Sequence, residues 1–405
     1  MATIACPYCY RHIDQRRLAY QCLGLGVPGG VRCTRSIDET RAELTNVRAA
    51  SFPSFPAPRL LAGRPGRGGG GGGGKAPCPH CGGVTGVRVC PVCHSPLSSA
   101  FRSSRSPLIG MVGGKGAGKS VYLAVLNHEL RTTVRRRFAA DVWFTGDQQG
   151  GAGSPRQWLA GSEEQLFERG RLLEQTPSAM NGQRAPVVLE WRQPRRRLGR
   201  AGFSTTVLSF YDAAGEDLTT QEQAHTQAYL GVADGLVLLL DPWQLPGALH
   251  RIDVPPEVVR EAEPPLEVLH RITELLRVAH GVRTAKRVPI PLAVVFAKMD
   301  AFFPVLGSDH PLLTRPPATA GYDESTGRST SEQVRAMLHD YGADDIDQHL
   351  ELNYADFRYF AVSALGAPPD YATAAVDAGG VQPFRVEEPL LWLLHRFGVI
   401  GRSRS

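Results

Sequence analysis

The chain has 405 residues, 42% of them hydrophobic, and a formal net charge of +6. That length holds two or three domains and a large core, and the composition is ordinary for a globular protein in water. The charge is too weak to argue for nucleic-acid binding by itself, no apolar run approaches a membrane span, and the start lacks a charged-then-apolar leader, so a cytoplasmic protein is the expectation.

All eight cysteines, Cys6, Cys9, Cys22, Cys33, Cys78, Cys81, Cys90 and Cys93, precede Ser95. In a reducing compartment such a pattern points to metal rather than disulfides. Met1 to Val47 is expected to be a cysteine-rich zinc-binding module. Cys6-Pro-Tyr-Cys9 puts two thiolates on one metal, and Cys22 and Cys33 complete a tetrahedral Zn²⁺ site, with His12 as the alternative ligand. Arg48 to Lys75 is a Pro- and Gly-rich linker with an unbroken glycine run from Gly68 to Gly74, expected to be flexible. Ala76 to Ser95 reads as a zinc ribbon, with Cys78, Cys81, Cys90 and Cys93 as the four ligands of a second Zn²⁺ and His94 as a bystander. Pro96 to Ser106 is a short Ser/Arg linker.

Pro107 to Leu130 reads as strand, glycine-rich loop, helix. Pro107 to Val112 is an apolar run suited to a buried parallel strand. Gly113-Gly114-Lys115-Gly116-Ala117-Gly118-Lys119-Ser120 then fits G-x-x-x-x-G-K-[ST]. Lys is scarce, five of the 45 basic residues, so a chance match is rare. Glycines let successive backbone N–H groups face phosphate oxygens, and the helix start adds the positive end of its dipole. Lys119 is placed to neutralise the β and γ phosphates, and the Ser120 hydroxyl to ligate Mg²⁺.

Beyond this unit the spacing predicts a basic helix end at Arg131 to Arg137, a strand over Asp141 to Phe144 and an amphipathic helix over Ser162 to Glu174. A strand over Pro186 to Trp191 precedes a turn holding Arg195 to Arg197. Thr205 to Tyr211 is the next strand. It ends in Asp212-Ala-Ala-Gly215-Glu216, where a DxxG turn suits Mg²⁺ binding by Asp212 and close approach of the Gly215 N–H to a γ-phosphate. A helix over Asp217 to Leu230, a strand over Asp234 to Leu240 and, over Glu257 to His280, one helix or two with a break at Pro264-Pro265 follow. The strand Ile290 to Ala297 leads into Lys298-Met-Asp300. Phe302 to Gly327 is a long polar insertion, followed by helices over Ser331 to Tyr341 and Asp344 to Leu352. The strand Phe357 to Val362 leads into Ser363-Ala364-Leu365, and Glu387 to Phe397 is a last amphipathic helix.

Phosphate loop, DxxG, KxD and SAL occur in that order, each after a strand. Over Pro107 to Val399 this resembles the Ras-type P-loop GTPases of the translation-factor-related class. With cysteine motifs in front, it resembles the bacterial zinc-ribbon-bearing double-GTPase group. The resemblance implies an α/β fold with a mostly parallel sheet, helices on both faces and guanine nucleotide (GTP or GDP) at the strand ends. It implies a P-loop GTPase domain over residues 107–400. Gly113, Gly118, Lys119 and Ser120 match the phosphate loop, and Asp212 and Gly215 the Mg²⁺ and γ-phosphate motif. Glu216 stands where such enzymes often have the water-orienting Gln, and Thr176, or else Thr145, matches the switch threonine. Lys298 and Asp300 match the guanine motif, with Ala297 where Asn or Thr is usual. Ser363 and Ala364 match the loop that supports the base through backbone N–H groups. The implied activity is Mg²⁺-dependent attack of water on the γ-phosphate, as a switch with a protein partner or activator. Protein or nucleic acid is the partner the zinc ribbons suit. A nucleotide-binding interaction module without efficient turnover, or an ATPase, is the alternative.

Overall fold

A computed structural model describes residues 3–45, 47–57, 74–145, 154–173, 186–197, 200–212, 228–252, 263–283 and 285–403. It is a mixed α/β structure with a central sheet. The chain falls into two compact units: Met1–Ser106 with Trp143–Arg156 and Asn181–Ser209, and Pro107–Val142 with Gln157–Met180 and Phe210–Ser405.

From Thr3 to Leu97 the first unit is built from very short strands. They are β1 (Thr3–Ala5), β2 (His12–Asp14), β3 (Ala19–Gln21), β4 (Ser36–Ile37), β5 (Ala50–Ser51), β6 (Ser54–Phe55), β7 (Ala76–Pro77), β8 (Val84–Thr85), β9 (Arg88–Val89) and β10 (Pro96–Leu97), with helix α1 (Glu39–Thr45) between β4 and β5. β10, β9, β3 and β6 form one antiparallel sheet in that order. Pairing of β3 with β9 brings the two cysteine-bearing segments into one sheet. Strands of two or three residues cannot bury a core of their own, so something else must hold them. Cys6, Tyr8, Ile13, Leu18, Cys90 and Cys93 cluster with Leu97, Phe101, Val188 and Val207. Pro96 to Ser106 is therefore not an open linker. It contains β10 and a 3₁₀ turn, Ser99–Arg102, whose Phe101 is fully buried, and the Ser98 hydroxyl donates to Glu190 Oε2 at 2.5 Å. A second cluster gathers Tyr20, Cys22, Phe55, Ala76, Cys78 and Cys81.

The longer strands follow in chain order: β11 (Leu108–Gly113), β12 (Asp141–Phe144), β13 (Val187–Arg197), β14 (Arg200–Asp212), β15 (Gly235–Leu240), β16 (Leu292–Phe296) and β17 (Phe357–Ala361). β13 continues through Arg197, so Arg195 to Arg197 extend a strand instead of forming the expected turn. In the second unit the order runs from the last three residues of β14 to β11, β15, β16 and β17. β11, β15, β16 and β17 are parallel and in register. β11 and β15 are buried at every position, as the continuous apolar runs require.

Among the described residues the helices of this unit are α2 (Lys119–Arg131), α3 (Thr133–Phe138), α4 (Pro155–Glu163, shared with the first unit), α5 (Pro265–Ala279), α6 (Glu324–Asp340), α7 (Asp344–Asn353) and α8 (Glu388–Arg396). Three differ from the sequence expectation. Arg131 to Arg137 is more than a basic helix end, because a separate helix, α3, buries Val134 and Phe138 while Arg135 and Arg136 stay exposed. The helix expected over Ser162 to Glu174 starts at Pro155, a residue suited to a first turn, and ends in a π-turn over Glu164–Glu168. α6 starts at Glu324 because Asp323 caps the N–H groups of Ser325 and Thr326.

Candidate functional site

The eight cysteines form two tetrads, and their grouping corrects the sequence expectation. Cys6 and Cys9 meet Cys90 and Cys93, while Cys22 and Cys33 meet Cys78 and Cys81. Neither N-terminal nor ribbon cysteines close a site among themselves. Each of the three C-x-x-C turns closes in the same way, with the N–H after the second cysteine donating to the carbonyl of the first: Tyr10 to Cys6 at 2.9 Å, Gly82 to Cys78 at 2.9 Å and His94 to Cys90 at 3.0 Å. Those three residues have φ of 60°, 70° and 58°, the left-handed conformation such a turn needs. Backbone N–H groups also point at sulfur, Gly24 at Cys22 at 3.2 Å and Val92 at Cys90 at 3.4 Å.

The donor set fits zinc. Cys6–Cys93, Cys9–Cys90, Cys22–Cys81 and Cys33–Cys78 sulfurs are 3.8, 3.9, 3.5 and 3.9 Å apart. Thiolates 2.3 Å from a tetrahedral Zn²⁺ lie about 3.8 Å apart, whereas disulfide sulfurs lie about 2.0 Å apart. The thiols of the two tetrads shift in opposite directions. The Gly83 N–H lowers the Cys81 thiol to about 6, and donation from the thiols of Cys6 and Cys9 lowers Cys90, while burial raises Cys6. His94 stays outside both tetrads and pairs through Nδ1 with Asp38 Oδ2 at 2.8 Å. His12 is in neither tetrad.

In the second unit, β11 ends at Gly113, where a Cβ would lie 2.5 Å from the Leu239 carbonyl oxygen, so only glycine fits beside β15. Gly116 and Gly118 have φ of 72° and 84°, and nothing crowds Gly118, so the turn itself selects glycine there. The Lys119 ammonium folds back to donate to the carbonyls of Gly113 at 2.9 Å and Gly114 at 2.8 Å. Ser120 follows in the first turn of α2, a turn without an acidic residue. Lys115 is exposed and Ala117 buried.

The ends of β15, β16 and β17 carry a polar cluster. Lys298 has φ of 54°. Its ammonium donates to Asp241 Oδ2 at 2.7 Å and lies 4.1 Å from the centre of the Trp243 ring. Asp300 is 4% exposed, and its Oδ1 accepts from the Ser363 hydroxyl at 2.5 Å. Burial raises the Asp300 carboxyl above its usual range. The Ser363 N–H donates to the Phe384 carbonyl at 3.0 Å. That N–H is engaged within the protein, while the hydroxyl supports Asp300. Ala364 is half-buried beside it.

Asp212 is the last residue of β14. Thr176, Gly215 and Glu216 lie outside the described residues, as does most of the glycine run from Gly68 to Gly74. Thr145 follows β12 and donates its N–H to the Val188 carbonyl at 3.0 Å. Sequence reasoning missed Asp241 and Trp243, the partners of Lys298. The Asp-Pro-Trp turn at the end of a buried strand was the available signal, since Asp241 caps it by accepting from the Trp243 N–H.

No family model matches the chain. Over 340 residues it is 27% identical to SaeC of Mycolicibacterium smegmatis, described as a candidate ESX-1 scaffolding and assembly protein, a match spanning 78% of this chain and 81% of SaeC. Among solved structures, sup35 complexed with GDP is 12% identical with a TM-score of 0.21, over 66% of this chain and 39% of that one. The S. cerevisiae Ski7 GTPase-like domain bound to GTP is 12% identical with a TM-score of 0.30, over 74% of this chain and 51% of that one. This chain thus spans well under two thirds of either solved chain, and assignment of its site rests on its own residues.

Proposed function

We propose that this chain binds guanine nucleotide at Gly113 to Ser120 and hydrolyses its terminal phosphate, with Zn²⁺ held by the two cysteine tetrads of a partner-binding module. The observation that carries the reading is the fold of Lys119 over the Gly113 and Gly114 carbonyls, in a left-handed glycine turn between a buried strand and a helix start. Such a loop presents N–H groups and an ammonium to phosphate oxygens. Ser120 and Asp212 would hold Mg²⁺, which neutralises charge on the β and γ phosphates. Asp300 is the acceptor for the guanine N1–H and N2 amine, with Lys298 beside it and Ala364 supporting the base. Glu216 is the candidate for orienting water and Thr176 for the switch. A carboxylate at Glu216 repels a γ-phosphate, so turnover is expected to be slow without a protein activator.

A second reading is a nucleotide-binding scaffold with little turnover. It draws on the likeness to SaeC, a protein described by scaffolding and assembly. On either reading the first partner sought is a protein, held by the cysteine module.

Isothermal titration of the full chain with GTP, GDP and ATP in Mg²⁺ tests the site, and phosphate release separates the two readings. Lys119→Ala is expected to abolish binding, because the phosphates lose their main counter-charge. Undiminished GTP affinity in that variant would sink the assignment.

A further inference from the structure

The phosphate loop is gripped by a carboxylate that no motif marks. Glu263, two residues before α5, accepts the Lys115 backbone N–H on Oε2 at 3.1 Å. Both of its oxygens are engaged by Arg271 of α5, Oε1 by Nη1 and Oε2 by Nη2, each at 2.9 Å. The grip extends one residue back. A Cβ on Gly114 would lie 3.0 Å from Glu263 Oε2 and 2.9 Å from Val268 Cγ2. Lys119 holds the same turn through the carbonyls of Gly113 and Gly114. An ammonium and a carboxylate thus share one three-residue stretch, the ammonium bonding its carbonyls and the carboxylate one of its N–H groups.

We propose that Glu263 is a positioning residue that sets the preference of the phosphate loop between nucleoside diphosphate and triphosphate. The proposal rests on the nucleotide reading above. A terminal phosphate brought to Lys119 adds negative charge at a turn already carrying a carboxylate, whereas a diphosphate adds less there. Arg271 offsets that carboxylate through a bidentate pair. The pair therefore balances the loop: removing the carboxylate leaves net positive charge, and removing the guanidinium leaves net negative charge. A like charge roughly 10 Å from the added phosphate charge, at the effective dielectric of a site near the surface, shifts relative affinity by about tenfold.

The test is titration of the full chain with Mg²⁺ and either GDP or a non-hydrolysable guanosine triphosphate analogue. Glu263→Gln keeps a carbonyl oxygen for the Lys115 N–H and loses the charge. Its affinity for the triphosphate analogue relative to GDP is expected to rise about tenfold. Arg271→Gln is expected to move that ratio the opposite way, and supplies a second reading if the first variant folds poorly. A purely structural brace would weaken both nucleotides alike in both variants, and an unchanged ratio overturns the proposal. Ratios moving in the same direction in both variants also overturn it. Failure of the unsubstituted chain to bind either nucleotide overturns the nucleotide reading itself, a result distinct from binding with an unmoved ratio.

Discussion

Serine substitution of cysteine pairs tests the crossed metal sites without further structural work. Cys6 and Cys93 are 87 residues apart, Cys9 and Cys90 81, Cys22 and Cys81 59, and Cys33 and Cys78 45. A metal joining Cys9 to Cys90 closes a long loop, worth about 4.5 kcal/mol in chain-entropy terms. A ribbon joining Cys81 to Cys90 directly would close a short loop, worth about 2.6 kcal/mol. The crossed arrangement therefore gains about 2 kcal/mol more per link from the same ligands. That gain suits the stretch from Thr3 to Leu97, whose strands are two or three residues long. The assay is zinc per chain by elemental analysis in reducing buffer, where the unsubstituted protein is expected to hold about two. Replacing Cys6 and Cys9, or Cys90 and Cys93, should each leave about one, and replacing all four should still leave about one. Replacing Cys6, Cys9, Cys22 and Cys33 together should leave none. Sequential sites predict the reverse for the two quadruple variants. Loss of both metals on replacing Cys6, Cys9, Cys90 and Cys93 would refute the crossed grouping.

The strands that build the parallel sheet were legible because each is a short run, apolar except for Arg358 in β17, with no competing period. β11, β15, β16 and β17 lie within one or two residues of their expected bounds. The glycine turn before α2 was legible for a similar reason, since its glycines answer to local backbone needs that sequence spacing records. The cysteine grouping was not. C-x-x-C spacing fixes which two thiolates share a metal, but the second pair is chosen by β3 pairing with β9, a long-range contact with no local trace. Pro96 to Ser106 misled because its serines and arginines mark a linker by composition, while Leu97 and Phe101 fill the core. Glu263 and Arg271 were invisible because an ion pair eight residues apart, gripping a loop 148 residues away, has no motif at all.

Three more perturbations discriminate. Phe101 is fully buried among Cys6, Cys90, Cys93, Val188 and Val207. Phe101→Ala should cost about 3–5 kcal/mol by denaturant unfolding and hasten chelator removal of one zinc; a normal chelation rate would argue that the cluster does not support the tetrad. Thr273 donates its hydroxyl to the Leu269 carbonyl, so it accepts from His349 Nε2 and from the Tyr354 hydroxyl, each at 2.8 Å. Burial first, then His270 and Arg277, depress His349 to about 4. A depressed folded value keeps its stability contribution above about 6.5 and loses it as pH falls toward 4, by up to about 3 kcal/mol. The stability gap between the unsubstituted protein and His349→Gln should therefore narrow from pH 7 to pH 4.5, and a constant gap would count against this account. The base specificity gives the remaining test. Asp300 is buried and its carboxyl is raised by that burial, so the ionised form needs donors. Ser363 supplies one through its hydroxyl. Guanine would supply two more, N1–H and the N2 amine, whereas adenine sets an acceptor at N1 against the carboxylate. At roughly 1.5–3 kcal/mol for each charge-assisted bond, GTP should exceed ATP by several kcal/mol in binding. Because guanine binds the ionised carboxylate, GTP affinity should also fall as pH drops through the raised Asp300 value. Asp300→Asn can turn a donor amide toward the base, which repels guanine N1–H and suits xanthine, whose C2 oxygen accepts. GTP binding should then fall sharply and xanthosine triphosphate binding rise, measured by titration in Mg²⁺. Equal binding of GTP and ATP by the unsubstituted chain would remove Asp300 from the base site, because no arrangement of a buried carboxylate against N1 treats the two purines alike.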